Sequence, residues 1–174
     1  MPVLFSEKKI SGDNRSRQIC DSCGFVNYVN PKIVVGTVST WADKFLLVKR
    51  AIEPRRGFWT IPAGYLEVGE TTEAGAVRET WEEARALTRI RGMIGLYNIL
   101  RISEVYLIYS AQMLSPKFSA GIECLDAGLF SWEKIPWNSL AFPSVSWALS
   151  DYKATKGKLR VMPMSEPPSI HWER

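Results

Sequence analysis

Residues 64–86 read GYLEVGETTEAGAVRETWEEARA, a stretch that carries six carboxylates and still keeps the apolar periodicity of a helix. The segment GETTEA offers Thr71 or Thr72 as an N-cap, and the periodic pattern runs to about residue 85. At about 100° per residue Ala74, Val77, Trp81 and Ala84 fall in one sector roughly 80° wide, and Glu79, Glu82 and Glu83 fall in the opposite one. The expectation is a helix with an apolar face toward a core and an acidic face away from it. Glu79 and Glu82 are three residues apart and Glu79 and Glu83 four, so the carboxylates converge, and each like-charged pair costs about 0.2–0.5 kcal/mol in water. A cation is the expected compensation. Mg²⁺ takes hard oxygen ligands, keeps several waters and is shared between one or two carboxylates and substrate phosphates. Gly75, on the acidic sector one turn before Glu79, is expected to leave room for metal or phosphate oxygens.

The flanking sequence supplies strands. KIVVGTVST and KFLLVKRA form a hairpin through WADK, with Asp43 supplying the turn chemistry. A loop rich in Arg, Gly and Pro follows, IEPRRGFWTIPAG. Beyond the acidic helix, IRGMIGLYNIL and SEVYLIYSAQML read as strands, SPKFSAGIECLDAG as a loop, LFSW as a strand and SVSWALSDYKATKG as a closing helix. In that last helix Val145, Ala148, Leu149 and Tyr152 share a face and Gly157 marks the end. Residues 1–30 are polar and irregular up to Pro31, and three prolines follow Leu159. The chain is therefore divided into a small segment 1–30, a main α/β domain 31–160 and an extended tail 161–174.

Composition narrows the class. With 174 residues, 46% of them hydrophobic, the chain has material for one core. Its net charge of +4 comes from scattered residues, so a nucleic-acid-binding tail is not expected, whereas phosphorylated small molecules suit a mildly basic surface. The start, MPVLFSEKKI, lacks the apolar segment of a signal peptide, and no run approaches the roughly 18 apolar residues of a membrane span. A cytoplasmic protein with no membrane partner is expected, and its three cysteines are then expected to be reduced.

The spacing Gly64, five residues, Glu70, seven residues, Arg78-Glu79, two residues, Glu82-Glu83 resembles the Nudix hydrolase motif, G-x5-E-x7-R-E-U-x-E-E-x-G-U with U a bulky aliphatic residue. Thr80, Arg85 and Ala86 depart from it. Arg85 replaces a glycine at a position that often takes left-handed dihedrals, which cost another residue about 1 kcal/mol. The resemblance implies an α/β/α sandwich with a mixed sheet, and hydrolysis of nucleoside diphosphates linked to another group. It implies that Glu79, Glu82 and Glu83 bind Mg²⁺ or Mn²⁺, with the Gly64 carbonyl as a further ligand, and that Glu70 and Arg78 form a buried ion pair bracing loop against helix. The general base is one of the helix carboxylates or an acid on a facing loop, for which Glu123 is the candidate; it reads equally as a plain loop acid.

A wider resemblance covers CDSCGFVNYVNPKIVVG, LLVKRAIEPRRGFWTIPAGYLEVGE and GIECLDAGLFSWEKIPWNSLAF. These look like the zinc-ribbon-bearing Nudix subgroup active on ADP-ribose, FAD and NADH. Arg50, Arg55 and Arg56 are candidates to contact the diphosphate, or are solvated. Phe58 and Trp59 are candidates to stack on a base, or are core. Cys20 and Cys23 look like one knuckle of a ribbon, but structural zinc wants four ligands, residues 1–19 contain no Cys or His, and Cys124 and His171 are too scattered to complete the set. A degenerate ribbon without zinc is expected, either held by residues such as Phe5, Ile10 and Phe25 or loosely ordered. The resemblance also implies a homodimer sharing its cleft. Two other readings stay open: hydrolysis of nucleoside triphosphates or RNA caps, and a nucleotide-binding regulatory module without turnover.

Overall fold

A computed structural model describes residues 4–157 and 164–165. The chain forms two compact units, Met1–Pro31 and Lys32–Arg174. The first is an antiparallel three-stranded sheet of β1 (Phe5–Lys9), β2 (Ser16–Cys20) and β3 (Val26–Asn27), in that order. The apolar residues expected to hold it do not: Phe25 is 61% exposed and Phe5 46%, and Ile10 is only partly covered. A segment this short has too little interior to bury rings, so it relies on local polar contacts. Arg17 pairs with Asp13 at 2.8 Å and lies over the Tyr28 ring, and Asp21 accepts from Ser6 and Lys8. Cys20 and Cys23 are both free thiols. Ser22 and the backbone amides of the turn hold the Cys20 thiol down at about 7.

The second unit contains a mixed sheet. Its strands are β4 (Lys32–Trp41), β5 (Lys44–Arg50), β6 (Trp59–Thr60), β7 (Ala63–Tyr65), β8 (Thr88–Ile99), β9 (Glu104–Met113), β10 (Cys124–Phe130) and β11 (Met164–Ser165). The order is β10-β5-β4-β9-β8-β11, with β6 paired to β5 and β7 to β4. The β4/β9 pair is parallel and most others are antiparallel. Helix α1 (Thr72–Ala84) covers one face and α2 (Pro143–Thr155) the other. Strand alternation makes this possible: Leu46 and Val48 pack with Ala84 of α1, whereas Phe45 and Leu47 pack with Val145, Ala148 and Leu149 of α2. The expected α/β/α architecture is therefore present. Among the described residues no helix is long and apolar enough to cross a membrane.

Three local details refine the expectations, and one of them, the strand at LFSW, differs. The β4–β5 turn is formed by Ala42 and Asp43, with Ala42 left-handed at φ 54°. The strand expected at LFSW begins earlier, at Cys124, because pairing with β5 recruits LDAG through a bulge between Cys124 and Asp126. Gly157 marks the end of helix α2 as expected: Lys156 is left-handed, and Gly157, with φ 76°, donates its N–H to Tyr152 O at 2.9 Å. Of the expected tail, only Met164–Ser165 falls within the described residues, pairing in parallel with Tyr97–Asn98; His171 lies outside them.

Candidate active site

Helix α1 starts at Thr71, whose side chain accepts from Ala74 N–H, and ends at Arg85, whose φ of 50° and ψ of 24° are left-handed. The face it buries is not the expected one. Gly75, Ala76, Thr80, Glu83 and Ala84 are buried, while Trp81 is 44% exposed and Ala74 lies at the surface. Small side chains let the helix lie close on the sheet, and closeness decided the buried stripe more than hydrophobicity did. Thr80 explains its place in that stripe: its hydroxyl pairs with Thr37 at 2.7 Å, Thr37 pairs with Ser39 at 2.8 Å, and Thr80 donates back to Ala76 O. Trp81 instead lies under the Arg85 guanidinium on the outside. Gly75 makes room for protein and not for ligand, since a Cβ there would meet Glu70 Oε1 at 2.7 Å and Val35 Cγ2 at 2.9 Å.

This seating carries Glu83 inward. It is 7% exposed, and its Oε2 accepts from Ala63 N–H at 3.0 Å. Burial pushes its carboxyl up to about 8, with the charges of Glu79 and Glu123 adding and the Ala63 amide and Arg50 opposing. Glu79 is also raised, by burial first, against Arg78. Gly64 on β7 lies directly against Glu79; a Cβ there would sit 2.4 Å from its carboxylate. Arg78 ties these acids to the preceding loop. Its Nη2 and Nε meet Glu70 at 2.6 and 3.1 Å, Nη2 also donates to Tyr65 O, and Nη1 bridges Glu79 at 2.7 Å and Glu82 at 3.0 Å. The Arg78 guanidinium holds the Glu70 carboxyl down at about 2, with the Glu67 N–H assisting. Both partners of the Glu70–Arg78 pair keep some exposure, so it is half-buried.

These groups open onto a cleft of about 1090 Å³. Acids line it, among them Glu79, Glu82, Glu83 and Glu123. Arg50, Arg55, Tyr106, Phe142 and Trp147 also line it.

A NUDIX domain pattern matches residues 30–139. The chain belongs to the Nudix family. It is a Nudix hydrolase, and it resembles a NUDIX hydrolase of Nitrosomonas europaea with a TM-score of 0.88 and 40% identity, covering 93% of each chain. The ADP-ribose pyrophosphatase of Methanocaldococcus jannaschii is 28% identical over 119 residues, 66% of this chain and 69% of that one. The NAD-capped RNA hydrolase NudC of Edwardsiella ictaluri is 35% identical over 77 residues, 43% of this chain and 29% of that one.

Against this Nudix frame the candidate residues separate. Arg50 reaches the cleft, its Nε donating to Pro54 O at 2.8 Å and its guanidinium lying over the Phe142 ring. Arg55 also lines the cleft and lies over Phe58. Arg56, Phe58 and Trp59 are not among the residues lining it, and Trp59 instead packs edge-on against Phe130. Residues without a local sequence signal complete the cleft. Tyr65 donates to Glu104 at 2.8 Å, and Tyr106, raised by burial, bonds Glu104 as well. The β4/β9 register brings Glu104 and Tyr106 beside Lys32 and Val34. Phe142 is the residue before the proline that opens α2, a helix-start signal that could have placed it.

The donor set suits a hard divalent cation, as family members use: carboxylates, one of them buried and raised, and the Gly64 backbone beside Glu79. Among the described residues no three such groups form a ready-made cage, because Arg78 Nη1 sits between Glu79 and Glu82. Glu82, half-exposed, is the member with freedom to turn toward a shared ion.

Proposed function

We propose that this Nudix hydrolase is a metal-dependent pyrophosphohydrolase that splits the diphosphate bond of nucleoside diphosphate derivatives of the ADP-ribose, FAD or NADH type, giving a nucleoside monophosphate and a second phosphorylated product. The observation that carries the reading is the buried carboxyl of Glu83, 7% exposed, lining with Glu79 a cleft that also holds Arg50. In its ionised form such a carboxylate is costly to bury unless a cation meets it. Glu79, Glu82 and Glu83, with the Gly64 carbonyl, would hold Mg²⁺ or Mn²⁺, which when bound neutralises diphosphate charge and lowers the barrier to attack by water. Arg50 and Arg55 bind phosphate oxygens. Phe142 and Trp147 provide the aromatic wall for a base, in place of Phe58 and Trp59. Glu123 takes the proton from the attacking water. Similarity to an ADP-ribose pyrophosphatase supports the substrate class.

Similarity to an NAD-capped RNA hydrolase favours a second reading, in which the diphosphate lies at the end of an RNA. Purified protein with Mg²⁺ and a panel of ADP-ribose, FAD, NADH, ATP and NAD-capped RNA separates the two by the phosphate species released, with Glu82→Gln as the comparison. Release of AMP from ADP-ribose, lost in Glu82→Gln, is the expected result. Binding without cleavage of any member would leave the protein a regulatory module.

A further inference from the structure

We propose that Gly121 is a positioning residue, which sets Glu123 over the acidic cluster by seating its loop on the open carbonyls at the end of α1. The proposal rests on the reading of Glu123 as the base. A helix leaves its last carbonyls without partners inside the helix. Here the loop that precedes β10 supplies them: Ser119 N–H donates to Ala84 O at 2.9 Å and Gly121 N–H to Glu83 O at 2.8 Å. The contact is possible only without a side chain. A Cβ on Gly121 would lie 1.8 Å from Glu82 O, 2.8 Å from Glu82 C and 3.0 Å from Glu83 Cα, all backbone atoms that cannot swing aside. The requirement is for space, because Gly121 is not among the residues of positive φ.

Two residues further on, Glu123 lines the cleft, and its charge acts on both Glu79 and Glu83. Its backbone is fixed from a second direction by Ala51 N–H, which donates to Glu123 O at 2.8 Å, while Cys124 N–H closes the turn onto Gly121 O at 3.1 Å. The turn of α1 that presents Glu82 and Glu83 is thus also the seat of the loop that presents Glu123. Backbone contacts fix the register between the acid on the loop and the acids on the helix, and no adjustable side chain intervenes.

The test is a mutant cycle on the purified enzyme with Mg²⁺ and ADP-ribose, with folding of each variant checked by thermal melting. Gly121→Ala is expected to lower kcat by about tenfold or more, with KM within about twofold, because only the aim of Glu123 changes. The double variant with Glu123→Gln is expected to be no slower than Glu123→Gln alone. Equal losses from Gly121→Ala in both backgrounds, or wild-type kcat in Gly121→Ala, overturn the proposal while leaving the base assignment standing. Wild-type kcat in Glu123→Gln removes the base assignment and the proposal with it. Amide exchange over residues 115–124 reads the seat without turnover: protection in the wild type and its loss in Gly121→Ala support the proposal, and unchanged exchange overturns it. Should Gly121→Ala fail to fold, Ser119→Pro removes the neighbouring donor and is expected to give the same kcat loss, abolished in the Glu123→Gln background; a loss that persists there overturns the proposal.

Discussion

Gly64 and Glu79 are in direct contact: the glycine backbone on β7 occupies the space in front of the carboxylate, with no room for a methyl group between them. Gly64→Ala forces Glu79 to turn away, and since the obstructing atoms are the end of a flexible side chain, the fold survives. Activity is expected to fall about 100-fold with little change in melting temperature, as expected when a positioned group moves by about 1 Å. A Mg²⁺ titration of activity together with a melting curve checks both halves.

Glu83 links pH to stability. Its carboxyl lies near 4.5 when unfolded and about 8 in the fold, raised by burial. The contribution is fully present below about pH 4.5 and is lost as pH rises through 8. In chelator, Glu83→Gln is therefore expected to melt above the wild type by a margin that opens between pH 4.5 and 8 and then stays constant. Saturating Mg²⁺ is expected to narrow the margin, and the variant is expected to hydrolyse nothing. Melting temperature against pH, with and without metal, measures this.

Glu70 behaves in the opposite sense. Arg78 holds its carboxyl at about 2 in the fold against 4.5 unfolded, so its contribution is present above about pH 4.5 and lost as pH falls through 2. Glu70→Gln is expected to melt below the wild type at pH 7 and to match it near pH 2. Acid titration of both proteins followed by circular dichroism decides it.

The hydroxyl chain under α1 predicts a coupling. Thr80→Val leaves the Thr37 hydroxyl short of a partner at a fully buried site and is expected to cost about 1–3 kcal/mol. Adding Thr37→Val is expected to cost less than the sum of the two single changes. Urea unfolding of the four proteins gives the coupling directly.

Much of the chemistry was legible because it is local. Acids at helical spacing mark the acidic turn of α1 without knowledge of the sheet, whereas the Glu70–Arg78 contact was implied only by the resemblance to the Nudix motif. The buried face of α1 was not legible. Gly75, Ala76 and Thr80 score poorly as hydrophobic residues, yet their small size lets the helix reach β4, turning the buried face by roughly a third of a turn from the apolar stripe. Glu104 and Tyr106 were invisible because only the β4/β9 register brings them to the cleft. The start of β10 was missed because CLDAG has turn composition, and pairing with β5 overrides it.

The parallel pairing of β4 with β9 has a kinetic side. Lys32 faces Glu104 and Thr40 faces Gln112 across roughly seventy residues of chain, so the centre of the sheet forms only after a long segment has been gathered. Gly64 depends on β4 through β7, and Tyr106 sits on β9. A nascent polypeptide halted before β9 would own the acidic turn but not the cavity around it, and competence should emerge only late in synthesis, after those two strands zip together and the Glu123 loop and α2 have followed.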